Sequence, residues 1–360
     1  MSKSLEIGII GLPNVGKSTL FNCLTNSNAL IANYPFATIE PNTGIVEVPD
    51  DRLKILAKIY KTNKIIPATV KFIDIAGLVA NASKGEGLGN QFLANIRSTD
   101  ALVHVVRAFQ DSNVIHVDSN PNPKNDIEII NTELVLADLN TVQKSLLKIE
   151  KEAKANPKLQ PKLTEIKKAK TYLDNNQALH LQDDLDEDLL KDLNLLSIKR
   201  VIYVFNLDEE SISNQQLQDN LSKIVKPSKA IFICAKLENE LKDLDDEDKK
   251  EFLLSYSLQE SGLNKLIKEA YDILGLQNYL TAGEKEVKAW TIRKGATAPQ
   301  AAGAIHTDFE RGFIAAEVIK FQDLATEESP ANLRSKGLIK TEGKSYIVQP
   351  DDIIEFRFNV

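Results

Sequence analysis

Residues 11–18 read Gly11-Leu12-Pro13-Asn14-Val15-Gly16-Lys17-Ser18, and no other stretch so narrows what this chain can fold into. The pattern is G-x-x-x-x-G-K-[ST], which works only between a β-strand and a helix. Backbone N–H groups must turn inward on a phosphate, and the helix N-terminus adds its dipole. The context fits: an apolar run at 5–10 precedes the loop and an amphipathic segment follows it. In such a loop Lys17 reaches the β- and γ-phosphates and assists catalysis, and the Ser18 hydroxyl ligates Mg2+. The cradle comprises Asn14, Val15, Gly16, Lys17, Ser18 and Thr19.

Further short runs rich in β-branched residues lie at 44–48, 69–74, 101–106, 200–206 and 230–235. They carry few interior charges and read as strands buried on both faces, with amphipathic segments between several of them. That is the pattern of an α/β domain with a mainly parallel sheet. The gap between 106 and 200 is too long for one crossover. It holds Val135, Leu139, Val142, Leu146, Ile149 and Ala153 at spacings of four and three, a sustained helical seam. Asn156-Pro157 breaks it, and Leu159, Leu163, Ile166 and Leu173 resume it. The reading is an antiparallel helical hairpin inserted into the α/β domain. From Lys144 to Lys170 the hairpin carries nine lysines against three glutamates. That suits either a solvated coiled-coil face or an arm that contacts RNA phosphates. The acidic stretch 183–188 reads as a solvated loop or the start of a helix.

An apolar helix is expected at 263–274, ended by Gly275. From about Asn278 the composition changes to short alternating strands, at 286–292, 313–318, 345–348 and 353–358, with one helical segment near 298–307. This reads as a small separate α+β module. Its 11 basic and 12 acidic residues over 278–360 do not by themselves announce RNA. The whole chain of 360 residues has a net charge of −7, which excludes a bulk polyanion binder and leaves nucleic acid only a local patch. Sequence-specific DNA binding is not expected. Cys23 and Cys234 make neither a disulfide framework nor a zinc spacing; both read as buried apolar residues in a reducing compartment. No apolar run is long enough to span a membrane, and no signal-peptide core follows Met1. The expected location is the cytoplasm.

After the third strand comes Asp74-Ile75-Ala76-Gly77. Asp74 is placed to hold Mg2+ through water, and Gly77 to give its N–H to the γ-phosphate. Thr38 lies where a switch threonine would coordinate the same ion, and the Gly-rich 83–89 is a segment that a γ-phosphate could order. Leu78 follows Gly77, where many GTPases place a Gln to orient water. The catalytic device must then come from elsewhere. Asn14 can supply an oxygen to a K+ ion bridging the phosphates, or can simply stabilise the loop. His116, in a polar loop after the fourth strand, can orient or deprotonate water, or can be an ordinary surface histidine. At the base end, GTPases end the fifth strand in N-K-x-D. Here it ends in Asn206-Leu207-Asp208-Glu209. Leu207 offers apolar surface, Glu209 carries an extra methylene that moves its carboxylate, and Asn206 keeps an amide oxygen that can accept from adenine N6. Glu209 could still accept from guanine. After the sixth strand the backbone of Cys234-Ala235-Lys236, at Ala235, would border the base.

Together, G-L-P-N-V-G-K-S, D-I-A-G-L, S-K-G-E-G-L-G-N-Q-F, N-L-D-E in place of N-K-x-D, the helical insert and the final module resemble the YchF/Obg-like ATPase family of the Obg-related P-loop GTPase superfamily. The resemblance covers nearly the whole chain. It implies a Ras-like nucleotide domain (1–125 and 200–277), a coiled-coil insert (126–199) and a C-terminal ubiquitin-like α+β TGS domain (278–360). It also implies Mg2+-dependent hydrolysis of ATP in preference to GTP. The implied partner is the ribosome, its rRNA and proteins, in a cytoplasmic regulatory role. It raises His116 to the place of the family's catalytic loop histidine. Two other readings stay open: a GTP-hydrolysing translation factor, and a nucleotide-gated binding regulator whose hydrolysis is incidental.

Overall fold

Buried strands alternating with amphipathic helices organise the chain, whose computed structural model describes residues 5–26, 42–75, 88–109 and 122–359. In chain order the strands are β1 (Glu6–Ile10), β2 (Thr43–Glu47), β3 (Ile65–Ile66), β4 (Thr69–Asp74), β5 (Ala101–Arg107), β6 (Val201–Asn206) and β7 (Lys229–Ile233). They continue with β8 (Leu276–Ala282), β9 (Val287–Arg293), β10 (Phe313–Lys320), β11 (Lys340–Glu342) and β12 (Asp352–Phe358). Among them lie α1 (Lys17–Asn26), α2 (Asp51–Tyr60), α3 (Leu88–Ser98), α4 (Pro123–Ala155), α5 (Gln160–Asp174) and α6 (Glu187–Leu190). There follow α7 (Gln215–Val225), α8 (Ala235–Glu240), α9 (Asp246–Ser255), α10 (Gly262–Ile273) and α11 (Ala298–Ile305). The chain packs as two units: Met1–Val46 with Lys71–Leu266, and Glu47–Val70 with Ile267–Val360.

The first unit is built on a sheet of order β2-β4-β1-β5-β6-β7. β1 pairs in parallel with β4 and β5, β5 with β6, and β6 with β7. Every residue of β5 and of β6 is buried, as a parallel sheet covered on both faces requires. All six strands expected here form, with ends displaced by at most two residues. Cys23 and Cys234 are not joined in a disulfide, and both are buried. No described helix is long and apolar enough to cross a membrane.

In the insert, the Asn122 side chain caps α4 by accepting from Asn125 N, and Pro123 opens the first turn. The helix stops at Asn156, and Pro157 starts a 3-10 turn. Val135, Val142, Ile149 and Ala153 of α4 are buried with Leu163, Ile166, Ala169 and Leu173 of α5, so the expected seam is the hairpin's core. The chain then returns and adds Ala178, Leu179, Leu190 and Leu195 to that core, a layer with no periodic signal in the sequence. Fully buried Asp138 pins the return. It accepts from Leu196 N at 2.8 Å, and from Ser197 N and Ser197 Oγ, each at 2.7 Å. Burial pushes its carboxyl pKa up, and these donors oppose the shift. The acidic stretch starts a helix: Asp186 caps α6, accepting from Asp188 N and Leu189 N.

The second unit holds a sheet of order β11-β10-β12-β8-β9-β3. Its core gathers Tyr279, Ala298, Ala301, Ala302, Ala316 and Val318, and the Tyr279 hydroxyl donates to Ala301 O at 2.9 Å. The expected strands near 286, 313 and 353 form β9, β10 and β12. The strand expected at 345–348 does not form. Ala298 N donates to Tyr346 O and Val348 N to Ala296 O, so this backbone pairs with the approach to α11 and joins no ladder, leaving one isolated bridge between Thr297 and Ile347. Gly275 ends α10 at φ +66°, a conformation that favours glycine. Residues 47–70, which fall inside the first stretch of the nucleotide domain by sequence, pack in this unit. β3 pairs with β9 in parallel, Ile65 against Val287. The Arg52 guanidinium donates to Pro350 O at 2.6 Å and to Asn278 Oδ1 at 3.0 Å.

Candidate functional site

The phosphate loop follows β1 directly and runs into α1. A Cβ on Gly11 would lie 2.7 Å from Val105 O, so only glycine lets the loop leave the sheet this close to β5. Asn14 and Gly16 both take positive φ, +62° and +93°. A Cβ at Gly16 would meet the Asn206 amide nitrogen at 2.4 Å. At Gly16 the loop thus turns where a side chain has neither the backbone freedom nor the space. Leu20 N donates to Gly16 O at 2.9 Å, the first bond of α1. The N–H groups of the first turn have no acceptor within the helix and are placed to meet an anion.

The loop opens on a cleft of about 1440 Å3, above the ~300–1,000 Å3 of ordinary ligand pockets. Asn14, Gly16, Lys17, Ser18 and Thr19 border it at one end, and Leu207, Glu209 and Ala235 at the other. Lys17 is ion-paired with Asp74, the last residue of β4. The cation expected on phosphate and the carboxylate expected near a metal therefore neutralise one another here. Ser18 and Asp74 bring a hydroxyl and a carboxylate to the same cleft. Such hard oxygen donors suit Mg2+, which commonly takes one or two protein oxygens and completes its shell with phosphates and water. No cluster of three or more His, Cys, Asp or Glu able to hold a metal occurs among the described residues. Thr38, Gly77 and His116 lie outside the described residues.

At the base end, Asn206 is 7% exposed and its amide is engaged on both sides. Nδ2 donates to Val15 O at 3.0 Å, and Oδ1 accepts from Ala235 N at 3.2 Å. The side chain expected to meet the base ties the phosphate loop to the loop after β7. Leu207 is 2% exposed, and its N–H donates to Ile233 O at 2.8 Å. Asp208 closes its own turn by accepting from Ser211 N at 2.8 Å. Glu209 Oε1 lies 2.5 Å from Lys236 Nζ. Sequence reasoning used Cys234-Ala235-Lys236 only for its backbone and missed this ion pair. It also missed Asn22, Asn42, Phe109 and Asn239, which line the same cleft and belong to no motif.

Behind the base loop, buried Glu238 of α8 accepts from Gly262 N at 2.6 Å and Leu263 N at 3.3 Å, capping α10. Burial pushes its pKa up to about 7, against the pull of those donors, of Ser261 and of Lys265.

Five hairpin lysines are tied to local carboxylates: Lys148 to Glu152, Lys162 to Asp192, Lys167 to Glu150, Lys168 to Asp184 and Lys170 to Asp174. Lys144, Lys151, Lys154 and Lys158 are exposed and have no carboxylate within ion-pair distance among the described residues. Spacings of three and four place Lys144, Lys151 and Lys154 on one stripe of α4 with Leu147, which is 69% exposed.

Comparison with known proteins is consistent across the chain. The family model MMR_HSR1, "50S ribosome-binding GTPase", matches residues 6–149, and YchF-GTPase_C, "Protein of unknown function (DUF933)", matches residues 276–359. The "Ribosome-binding ATPase YchF" of Pasteurella multocida is 49% identical over 361 residues, covering 99% of both chains. Proteins of the same name from Escherichia coli O157:H7 and Bacillus subtilis are 48% and 47% identical, with 99% of this chain and at least 99% of theirs covered. Among solved structures, the Schizosaccharomyces pombe YchF GTPase superposes with a TM-score of 0.87 at 37% identity, over 99% of this chain and 98% of that one.

Proposed function

The chain belongs to the YchF family of ribosome-binding ATPases, and from that premise we propose that it hydrolyses ATP to ADP and phosphate and binds the ribosome according to the nucleotide it holds. The observation that carries the catalytic half is the cleft itself: a phosphate loop, the Lys17–Asp74 pair and an altered base motif face one space. Lys17 exchanges Asp74 for the β- and γ-phosphates when nucleotide enters, which frees the Asp74 carboxylate. Ser18, Thr38 and Asp74 are the residues that would hold Mg2+, which when bound neutralises charge on the phosphate oxygens. Gly77 and the loop N–H groups of Asn14 to Thr19 hold the phosphate chain. Asn206 acts as a positioning residue that keeps the phosphate loop and Ala235 in register. Leu207 and Glu209 favour adenine over guanine. Asn14 holds an activating K+, and His116 orients the attacking water in place of the Gln that Leu78 replaces.

For the ribosome, the lysine stripe of α4, without ion pairs among the described residues, is the surface that fits rRNA phosphates, in a chain otherwise acidic. With that partner the protein works in the cytoplasm. The test is phosphate release from ATP and from GTP, with and without ribosomes, in K+ and in Na+. ATP hydrolysis is expected to exceed GTP hydrolysis, to respond to ribosomes and K+, and to vanish in Lys17→Ala together with tight triphosphate binding. Preferential GTP hydrolysis would select the GTPase reading. Ribosome binding that follows nucleotide state without turnover would select the regulator.

A further inference from the structure

Glu209 does not meet the cleft as a bare carboxylate. It lies in the turn after β6, Lys236 lies in α8, and the two side chains close on one another across the base end, Oε1 to Nζ at 2.5 Å. The bond to Glu209 pushes the Lys236 pKa up, so the ammonium keeps its proton. The neighbouring Asp208 is occupied by Ser211 N. Leu207, buried beside them, brings no polar substitute.

We propose that Lys236 is a specificity residue: its ammonium holds the Glu209 carboxylate and withdraws from guanine the acceptor that guanine needs. This rests on the reading that ATP is the preferred substrate. Guanine presents N1–H and N2–H2 side by side, and a carboxylate meets both only when its two oxygens are available. With the ammonium on Oε1, guanine must compete with the cation for that oxygen and for the orientation of the carboxylate, or leave a donor unpaired in a partly closed site. A polar group left unpaired discriminates far more strongly than a change of apolar contact. Adenine presents one acceptor, N1, beside one donor, N6–H2. It asks at most one bond of the carboxylate and can itself accept from the ammonium. The pair therefore penalises guanine and leaves adenine served. The replacement of the GTPase Asp by Glu209 and the lysine of α8 then act as one device.

The test is calorimetric titration of the full chain with ATP, GTP and ITP, in the parental protein and in Lys236→Ala, Lys236→Met and Lys236→Arg. The Lys236 side chain is 71% exposed, so its truncation leaves the fold intact, which the melting temperature checks. In Lys236→Ala and Lys236→Met the affinity for GTP relative to ATP is expected to rise about fivefold, the upper range for one solvent-facing ion pair. The gain for ITP, which lacks the N2 amine, should be smaller. Lys236→Arg should keep the parental ratio. Adding Glu209→Gln to Lys236→Ala should remove the gain, which a loosened loop would not do. An unchanged GTP-to-ATP ratio in Lys236→Ala and Lys236→Met overturns the proposal while leaving ATP preference standing. No ATP preference in the parental protein overturns the reading beneath it.

Discussion

A single amide, that of Asn206, joins the loop after β1 to the turn after β7. By bonding Val15 O and Ala235 N it fixes the distance between phosphate loop and base loop before any ligand arrives. Glu238 acts one layer behind, and its energetics depend on pH. Its pKa in the fold is about 7, above the usual 4.5, because burial penalises the charge. A raised carboxyl pKa means that the folded state holds the proton more tightly than the unfolded chain. The stabilisation is therefore complete below pH 4.5 and is lost as pH rises through 7, at about 1.4 kcal/mol per pH unit between the two. Urea denaturation from pH 5 to pH 8 should show Glu238→Gln free of this decline, so that parental and variant stabilities diverge as pH rises. Parallel curves would mean that the carboxyl titrates normally. His116 is the other residue whose role is separable. Its alanine variant should lose at least tenfold in ATP hydrolysis, with and without ribosomes, while ATP affinity barely changes, because the interaction is made mainly in the transition state. A parental rate would make His116 a bystander.

The hairpin divides its lysines by element. Those on α5 face acids of the hairpin and its return segment, and Lys148 pairs one turn ahead along α4, so they are neutralised locally. The stripe of α4, and Lys158 in the 3-10 turn that follows it, have no such neighbours among the described residues, and their charge is available to a partner. Reversing Lys151, Lys154 and Lys158 together should weaken ribosome binding and flatten its salt dependence, since a protein that neutralises fewer phosphates releases fewer counterions. Intrinsic ATPase should persist, because none of the three lines the cleft. Ribosome binding that ignores both the substitutions and added salt would leave the stripe a solvated face.

At the scale of the whole molecule, the second unit is discontinuous in sequence. It needs α2 and β3, where Leu53 and Leu56 are buried and β3 extends the sheet along β9. A fragment of residues 276–360 alone would expose one edge of that sheet and lose both Arg52 hydrogen bonds. It should melt broadly and well below the full chain, or aggregate, as followed by near-ultraviolet circular dichroism. A fragment that melts as sharply and as high as the full chain would show α2 and β3 to be dispensable.

What the sequence determined by itself is whatever local spacing carries. The strand–loop–helix around Gly11 to Ser18, the two-faced strands and the hairpin with its break at Asn156-Pro157 are all patterns within a few dozen residues, and each formed where expected. The strand expected at 345–348 failed because an alternating pattern does not say which backbone will pair with it. Tertiary structure alone decided the partners. Asn206 meets Val15 across 191 positions, Lys17 meets Asp74 across 57, and Arg52 meets Asn278 across 226. No periodicity links such residues. They are brought together by sheet order and by the burial of faces that single elements cannot bury alone. The same holds for Glu209 and Lys236: the motif supplied the carboxylate, and only the packing of α8 beside the turn after β6 gave it a cation.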